Sequence, residues 1–379
     1  MSNVLIIPVD FYPNSTGFAN ATLNLVNAVK KYHPEINLFV YCDTQLKDGE
    51  KEIDGIKVYR HSHYRAKYAY SRYKEICQIV DNENIDFILI ETNTVFFLQN
   101  LLVRKYPEKV AVRIHSTADT ETLLFRKRTL SARIFKKSAQ DFMNKCCTIL
   151  CTNSYHQGFI YKYFYNNNVY KMWNRNHFLL PNTVPSIQCK DCLNEGFYFF
   201  ALGKLSYDGY IQKGISDLLC ACFVLKQKGI DVPLEIVGDG DFYSKIERMI
   251  SDFRLTKVKL IRKLSHDEVI DHVTKSAAVI LVSRYEGQSM FATEAIASAK
   301  PLIITNDNGM KDMVIDGVNG MVVETGNSLQ LASKIEEFMK FDKNTILNMS
   351  NKSYDRYDQM YSPRVVADIF STIVQIVAK

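Results

Sequence analysis

Short apolar runs rich in β-branched residues recur along the chain, and amphipathic stretches of helical length separate them. This alternation predicts an α/β protein whose sheets are mostly parallel. The predicted strands form two groups: 3–9, 37–42, 56–60, 86–91, 110–115 and 146–153, and then 197–203, 233–240, 258–261, 277–282, 301–306 and 321–324.

A break in this rhythm at 181–196 contains two prolines and several small polar residues, which is typical of a linker. A chain of 379 residues also exceeds what one core usually supports. We therefore predict two doubly wound domains, 1–184 and 195–361. The helical segment 362–379 belongs to neither predicted sheet, and we expect it to pack back and complete the first domain.

Three of the predicted helices have recognisable starts. Ser265 followed by Glu268 forms a capping box, and Asn327 followed by Gln330 resembles one. Pro363 stands where the last helix is predicted to begin, a position at which its missing N–H costs nothing.

Composition narrows the class of protein. The chain is 47% hydrophobic and 23% charged, as in ordinary globular proteins. No apolar run reaches the roughly 18 residues that span a bilayer, and the net charge of +6 is too small to indicate nucleic-acid binding. The nine cysteines are scattered and odd in number, and the opening residues lack a basic leader, so we expect a cytoplasmic protein.

Candidate binding residues follow the predicted strands, at the edge where open α/β sheets hold ligands. Gly17 opens a helix whose amides suit a phosphate. Lys204 and Lys213 flank a loop after 197–203, where two cations can neutralise a diphosphate. Gly238 allows close backbone approach. Each feature also fits an ordinary turn or a solvated lysine, and His115, at another strand end, equally fits a structural histidine.

Two glutamates follow the strand 277–282, within RYEGQSMFATEA. Gly287 predicts a turn that carries Glu286, and we expect a helix from Ser289 or Met290 that carries Glu294. A carboxylate can accept hydrogen bonds from both ribose hydroxyls, which suits Glu294. Glu286 can contact a sugar hydroxyl or positive charge at a sugar carbon. The alternative is that both are acids favoured near a helix N-terminus.

Several motifs resemble those of family-four retaining glycosyltransferases. The spacing from Glu286 to Glu294 is that family's E-x7-E signature. The segments that resemble other family motifs are ALGKLSYDGYIQKG (201–214), LEIVGDGD (234–241), NDNGMKDMVIDGVNGMVV (306–323), LLPNTV (179–184) and RIHST (113–117). The resemblance implies a GT-B fold, with two Rossmann-like domains that face each other across a cleft.

The resemblance also implies a metal-independent transfer that retains configuration at the anomeric carbon, without a cofactor. Lys204 and Lys213 would hold the donor diphosphate, Glu286 and His115 the sugar, and Glu294 the ribose. The other donor-binding residues that it implies are Gly17, Gly238, Gln288, Ser289, Met290, Phe291 and, near the base, Arg262 and Lys263. The chain departs from the family pattern at Thr16, Arg262 and Ser289, where glycine is usual, and the 204–213 loop is longer.

A basic stretch at 125–137 is interleaved with apolar residues and could lie on an anionic membrane surface. A solvated helix with its apolar side packed inward is the alternative. In the family the first domain receives the acceptor, which implies a glycan or lipid-linked glycan as partner and no nucleic acid.

The sequence thus predicts a hexosyltransferase that uses a nucleotide sugar, with UDP-sugar preferred, in bacterial cell-surface polysaccharide synthesis. One alternative is a nucleotide-sugar 2-epimerase, which needs no acceptor. Another is a non-catalytic sugar-nucleotide-binding regulator.

Overall fold

In the computed structural model two compact units divide the chain: Met1–Thr183 with Pro363–Lys379, and Val184–Ser362. The break at Thr183 falls inside the predicted linker. The residues that the structure describes are 1–14, 16–42, 52–53, 55–61, 69–92, 97–116, 130–163, 176–187 and 196–378.

The first unit is built on an eight-stranded sheet with the strand order β3-β4-β2-β1-β5-β6-β7-β8. All neighbouring strands are parallel except β3 and β4, which pair antiparallel. The strands are β1 (Ser2–Ile7), β2 (Ile36–Cys42), β3 (Glu52–Ile53), β4 (Ile56–Arg60), β5 (Phe87–Thr92), β6 (Val110–Ile114), β7 (Thr148–Cys151) and β8 (Asn176–Leu179).

Helices cover both faces of this sheet, and the C-terminal helix is one of them. Phe370 and Val374 of that helix share a buried cluster with Leu25 and Val29 of the first helix. At its rim His33 contacts Asp368 at 2.9 Å. The helices of the unit are α1 (Gly17–Tyr32), α2 (Ala69–Asn82), α3 (Phe97–Lys105), α4 (Leu130–Lys145), α5 (Ser154–Tyr163) and α13 (Pro363–Val377).

The second unit has a six-stranded, fully parallel sheet with the order β11-β10-β9-β12-β13-β14. Numbered within the unit, this is the doubly wound order 3-2-1-4-5-6. The strand order reverses between β9 and β12, and sheets of this kind bind ligands beyond the carboxyl ends of the strands at that point. The strands are β9 (Phe199–Leu202), β10 (Leu234–Val237), β11 (Val258–Ile261), β12 (Ala278–Leu281), β13 (Leu302–Thr305) and β14 (Gly320–Val323).

Buried clusters on both faces of this sheet explain its nearly continuous apolar strands.

The predicted capping box of Ser265 and Glu268 is confirmed. Asn327 caps its helix, but the side chain of Gln330 accepts instead from the amide of Glu324. The helices are α6 (Tyr207–Lys213), α7 (Ile215–Gln227), α8 (Tyr243–Asp252), α9 (His266–Lys275), α10 (Met290–Ala297), α11 (Ser328–Met339) and α12 (Lys343–Met360).

The doubly wound α/β prediction is confirmed for both units, and every predicted strand has its counterpart. Two short strands, β3 and β8, were not predicted, because their few residues carry no apolar run. The prediction of a loop from Lys204 to Lys213 is wrong in part, because a helix spans Tyr207–Lys213. Ser206 caps a short helix there, its hydroxyl accepting from the amide of Gly209.

Candidate active site

Glycines let three strand ends of the second unit approach closely. A Cβ on Gly238, after β10, would lie 2.1 Å from the carbonyl oxygen of Gly203, after β9. A Cβ on Gly240 would lie 2.3 Å from the backbone of Leu205, and this glycine has a positive φ of 146°. The amide of Gly238 also donates to the carbonyl of Ile261, at the end of β11. The ends of β9, β10 and β11 therefore form one compact edge.

A second contact ties α6 to the loop after β12. Gly214 ends α6 in the left-handed region, with φ at 61°, and a Cβ there would lie 2.3 Å from the carbonyl oxygen of Val282. The amide of Arg284 donates to the carbonyl of Gln212 at 2.7 Å, and the Gln212 side chain donates to the carbonyl of Tyr285. The last turn of α6 thus lies directly against 282–285.

This arrangement brings together two residues that the sequence predicted in one site. Lys213 Nζ lies 2.5 Å from Glu286 Oε2, and the two side chains are 21% and 14% exposed. The hydroxyl of Ser283 lies 3.4 Å from the same carboxylate oxygen. A half-buried lysine and glutamate therefore form an ion pair at the carboxyl end of β12, beside the topological switch point of the sheet.

Residues at the end of the next strand and just after it support this loop, and the sequence analysis assigned none of them a role. Thr305 and Asn308 both donate to the carbonyl of Ser283, at 2.5 and 3.1 Å. The amide of Gly309 donates to the carbonyl of Glu286 at 2.9 Å. Asn308 is fully buried, so its amide is used to fix the loop and not to bind a ligand directly.

Lys204 lies at the end of β9 and is exposed. Within the described part of the chain, its ammonium has no hydrogen bond or ion pair, in contrast to Lys213. It is therefore a cation at the ligand edge that is available to an anionic group.

The helix predicted to begin near Ser289 is confirmed as α10. The Ser289 hydroxyl caps it by accepting from the amide of Ala292. Helix geometry leaves the N–H groups of Met290 and Phe291, in the first turn, without an intrahelical acceptor. They face the edge where the dipole favours an anion. Gln288 is buried, and its side chain donates to Thr293.

Glu294 lies on α10 and its carboxylate is 15% exposed. Among the described residues, the ionisable side chain beside this carboxylate is His266, at the start of α9. Its Nε2 lies 3.8 Å from Glu294 Oε1. Burial raises the pKa of Glu294, and His266 offsets this only in part. A buried acid with so weak a partner can accept hydrogen bonds from a bound hydroxyl pair.

Arg262 projects from the end of β11 across the end of β10. Its guanidinium carbon lies 4.1 Å from the centroid of the Tyr243 ring, and Nη1 donates to Asp239 Oδ1 at 3.2 Å. The side chain is 61% exposed. The neighbouring Lys263 is exposed as well.

In the first unit, Gly17 begins α1, but Thr16 forms its cap by accepting from the amide of Ala19. Asp10 organises the loop before it, since its carboxylate accepts from Thr16 at 2.6 Å and from Asn14 at 2.7 Å. Thr16 at the usual glycine position therefore stabilises the helix start, a role that an N-cap preference for threonine could have indicated.

His115 follows β6 and is buried, with Nε2 3.2 Å from Glu91 Oε1 but outside hydrogen-bond geometry. Arg113 donates to the same Glu91 oxygen at 2.7 Å, and Thr22 donates to the other. Burial lowers the pKa of His115, and attraction to Glu91 does not restore it. The imidazole is thus neutral near pH 7, and Arg113 is the cation that balances Glu91.

Arg113 also holds the segment that leaves the first unit. Its guanidinium donates to the carbonyls of Leu180 and Pro181 and to the side chain of Asn182. Sequence reasoning missed this role, although an arginine inside the apolar run VAVRIH was a signal, since a charge in a buried strand needs a partner.

The basic stretch 125–137 lies partly outside the described residues. From Leu130 onward it forms the start of α4, where Ile134 is 62% exposed. Across the described part of the chain, no helix is both long and apolar enough to cross a bilayer.

The second unit matches a known family model. Residues 197–356 match the model described as Glycosyl transferases group 1. The match runs from β9 into α12, and it includes Lys213, Glu286 and Glu294.

Individual proteins show the same similarity. Over 340 residues the chain is 28% identical to an uncharacterized glycosyltransferase of Methanocaldococcus jannaschii, and the alignment covers 88% of each chain. It is 26% identical over 193 residues to a capsular polysaccharide biosynthesis glycosyltransferase of Staphylococcus aureus, which is 50% of this chain and 48% of that protein. The structure of Anabaena HepE in complex with UDP matches 99% of this chain and 100% of its own, with a TM-score of 0.72 at 15% identity. The chain therefore has the GT-B fold of two Rossmann-like α/β domains.

Proposed function

We propose that the protein is a retaining, metal-independent glycosyltransferase. It moves a hexose from a nucleotide sugar, UDP-linked by preference, to a glycan or lipid-linked glycan in bacterial cell-surface polysaccharide synthesis. The ion pair of Lys213 and Glu286 carries this proposal. It joins a cation suited to a diphosphate and a carboxylate suited to a sugar at one strand end.

Each charge of the pair has a separate role in the proposed reaction. The bond between the anomeric carbon and the terminal phosphate oxygen breaks, and its electron pair leaves with the nucleoside diphosphate. Lys213 and Lys204 stabilise that leaving charge, together with the first amides of α10. Glu286 orients the sugar and stabilises positive charge at the anomeric carbon.

The acceptor hydroxyl forms the new bond on the same face of the sugar and gives its proton to the departing phosphate. Retention of configuration is the part of the proposal that depends on the resemblance of the 286–294 segment. The two lysines stabilise the negative charge of the leaving diphosphate, as a divalent ion does in metal-dependent enzymes, because they are held in place before that charge develops.

The comparisons support the donor and the pathway. The UDP complex of the structurally similar Anabaena protein favours a UDP-linked donor. The similarity to a capsular polysaccharide glycosyltransferase favours a surface polysaccharide as product.

We also propose that the enzyme acts on the cytoplasmic face of the membrane, through 125–137. The exposed Ile134, on a helix that includes the exposed Lys137, supports a contact with anionic lipid. Flotation with vesicles tests it: binding to vesicles with phosphatidylglycerol, lost in Ile134→Ser, is expected. Equal recovery with neutral vesicles would argue against the contact.

Activity is tested by incubating the protein with UDP-, GDP- and ADP-hexoses and a panel of glycan and lipid-linked acceptors. The released nucleotide and the glycosylated product are both measured. We expect acceptor-dependent release that EDTA does not reduce. Glu286→Gln and Lys213→Ala should each lower kcat by about 100-fold or more, as expected for groups that act in the transition state.

Lys228→Ala and Glu336→Gln are matched controls, because these two residues form a Lys–Glu pair of 2.9 Å on the surface of the same unit. Both should keep full activity. Epimerised sugar without transfer would instead indicate a nucleotide-sugar 2-epimerase, and binding without turnover a regulator. Loss of activity on chelation would contradict the metal-free mechanism.

A further inference from the structure

Arg60 is the last residue of β4, and its guanidinium lies at the carboxyl edge of the first sheet. Nη1 donates to the carbonyl of Tyr12, in the loop after β1, at 3.1 Å. The same nitrogen lies 3.5 Å from Sγ of Cys42, the last residue of β2. Because β1, β2 and β4 are parallel, their carboxyl ends share this edge. Open α/β sheets bind ligands beyond these ends, so Arg60 is placed where the first unit can hold one.

The guanidinium has two donors that the protein does not use. Nε and Nη2 lie on one side of the planar group, and we call their N–H groups the Arg60 fork. Both atoms are shielded from water, and neither has a hydrogen-bond acceptor within the described part of the chain. Buried donors of a charged group are costly when they lack acceptors. A ligand that supplies two acceptors to the fork removes that cost.

Two other basic side chains near this edge have carboxylate partners. His61 Nδ1, directly after β4, lies 2.8 Å from Glu75 Oε2, and Arg113 Nη1 in β6 lies 2.7 Å from Glu91 Oε1. Among the described residues, no carboxylate forms an ion pair with Arg60. Since a shielded charge needs a partner, the positive charge of Arg60 is left for an anion that arrives with a ligand.

We propose that the Arg60 fork binds an oxyanion of the acceptor, either the carboxylate of a uronic acid residue or the diphosphate of a lipid-linked glycan. The inference rests on the proposed function, since it names the chemical class of that acceptor. Lys204 and Lys213 of the second unit already supply cations for the donor diphosphate in the proposed reaction. A carboxylate and a phosphate both present two oxygens to a guanidinium fork, so that two parallel charge-assisted hydrogen bonds form.

Calorimetry on the full chain tests the fork with simple anions. The protein is saturated with UDP, which occupies the donor site, and inorganic pyrophosphate or glucuronate is then titrated. We expect the wild type to bind at least one of these anions, and Arg60→Met to bind it about tenfold more weakly or not at all. Methionine keeps an unbranched stem but removes the charge. Arg60→Lys should give an intermediate affinity, because it keeps a charge but loses the fork.

Urea unfolding without any anion separates binding from a structural role. Arg60→Met should unfold at a urea concentration no lower than that of the wild type, because it leaves no carboxylate without its cation. Arg113→Met is the contrast, since it leaves Glu91 buried without a countercharge, and it should unfold at a lower concentration. A loss in Arg60→Met as large as that in Arg113→Met would assign Arg60 to the fold and overturn the inference.

Transfer assays distinguish the two sources of the anion. A lower KM for a glucuronide than for the matching glucoside would indicate a uronic acid. A lower KM for a polyprenyl diphosphate-linked sugar than for its neutral glycoside would indicate the lipid diphosphate. Arg60→Met should abolish either preference. Arg104→Met is the control, since Arg104 is an arginine of the same unit whose side chain is 61% exposed, and it should change neither anion affinity nor KM.

UDP binding, measured first, separates this inference from the proposed function. If UDP binds but the wild type binds neither anion, or Arg60→Met binds them as tightly as the wild type, the inference is overturned and the proposed function stands. If UDP does not bind, the proposed function fails first and the inference with it.

Discussion

Gly214 and Val282 approach so closely that a Cβ on the glycine would stand 2.3 Å from the carbonyl oxygen of the valine. The contact joins the end of α6 to the end of β12, and in this way it brings Lys213 to Glu286. The geometry of the ion pair thus depends on a residue that has no side chain.

We expect Gly214→Ala to destabilise the second unit by more than the roughly 1–2 kcal/mol that a left-handed alanine costs. The added methyl group must also displace the backbone of β12. Gly229→Ala is the matched control, because Gly229 has a φ of 78° but no atom within 4 Å of the added Cβ. Urea unfolding measures both variants, and equal losses would show that the contact with Val282 is not tight.

Glu91 should make the first unit sensitive to acid. Burial raises its pKa, but the contacts with His115, Arg113 and Thr22 outweigh this and lower it from 4.5 to about 2. A carboxyl whose pKa is depressed on folding contributes stability above its unfolded pKa, and this is lost as the pH falls. Between about pH 4.5 and 2, wild type should lose roughly 3 kcal/mol through this group.

Glu91→Gln removes that titration. It should be less stable than wild type at pH 7, because Arg113 loses its countercharge, but its stability should fall less steeply in acid. Glu336→Gln is the control, since Glu336 also has a pKa lowered to about 2, but its ion pairs with Lys228 and Lys340 lie at the surface, where salt screens them. Parallel acid curves for wild type and Glu91→Gln would disprove this role.

The Ser289 hydroxyl should contribute more to the stability of the fold than to kcat. Its hydroxyl caps α10, so Ser289→Ala should cost about 1 kcal/mol, and Ser289→Gly only a few tenths. Because the glycine variant keeps the amides of Met290 and Phe291 in place, its kcat should stay within about twofold of wild type. Thermal unfolding and kcat, measured together, check both parts. A large loss of kcat in Ser289→Gly would assign the hydroxyl to the donor.

Glu294 should give nucleotide binding a pH dependence. Burial raises the pKa of this carboxyl, so the charged form that accepts from a ribose is lost at a higher pH than for an ordinary glutamate. UDP affinity should therefore fall as the pH is lowered from 7 to about 4.5, because a raised pKa means that Glu294 takes up its proton above the pH at which an ordinary glutamate does. In Glu294→Gln it should be about tenfold weaker and nearly independent of pH.

Glu247→Gln serves as the control for that measurement, because Glu247 is an exposed glutamate on α8. Its UDP affinity should follow the wild-type curve. If Glu294→Gln follows the same curve as well, the ribose is bound elsewhere.

The amino-acid sequence by itself determined the alternation of strands and helices, the capping box at Ser265 and the start of α10 at Met290. These features depend on neighbours within about four residues, and local patterns of apolar and capping residues report them directly. The position of Glu286 after a strand could be predicted for the same reason, whereas the short helix that ends at Lys213 was not predicted.

Only the tertiary structure decided which groups meet. Lys213 and Glu286 are 73 positions apart, and their contact depends on the close approach of Gly214 to Val282. Arg113 was hidden in an apolar strand, and its partners Glu91 and Leu180 come from distant segments. Long-range pairs of this kind are set by sheet order and by the packing of whole elements, which no short stretch of sequence encodes.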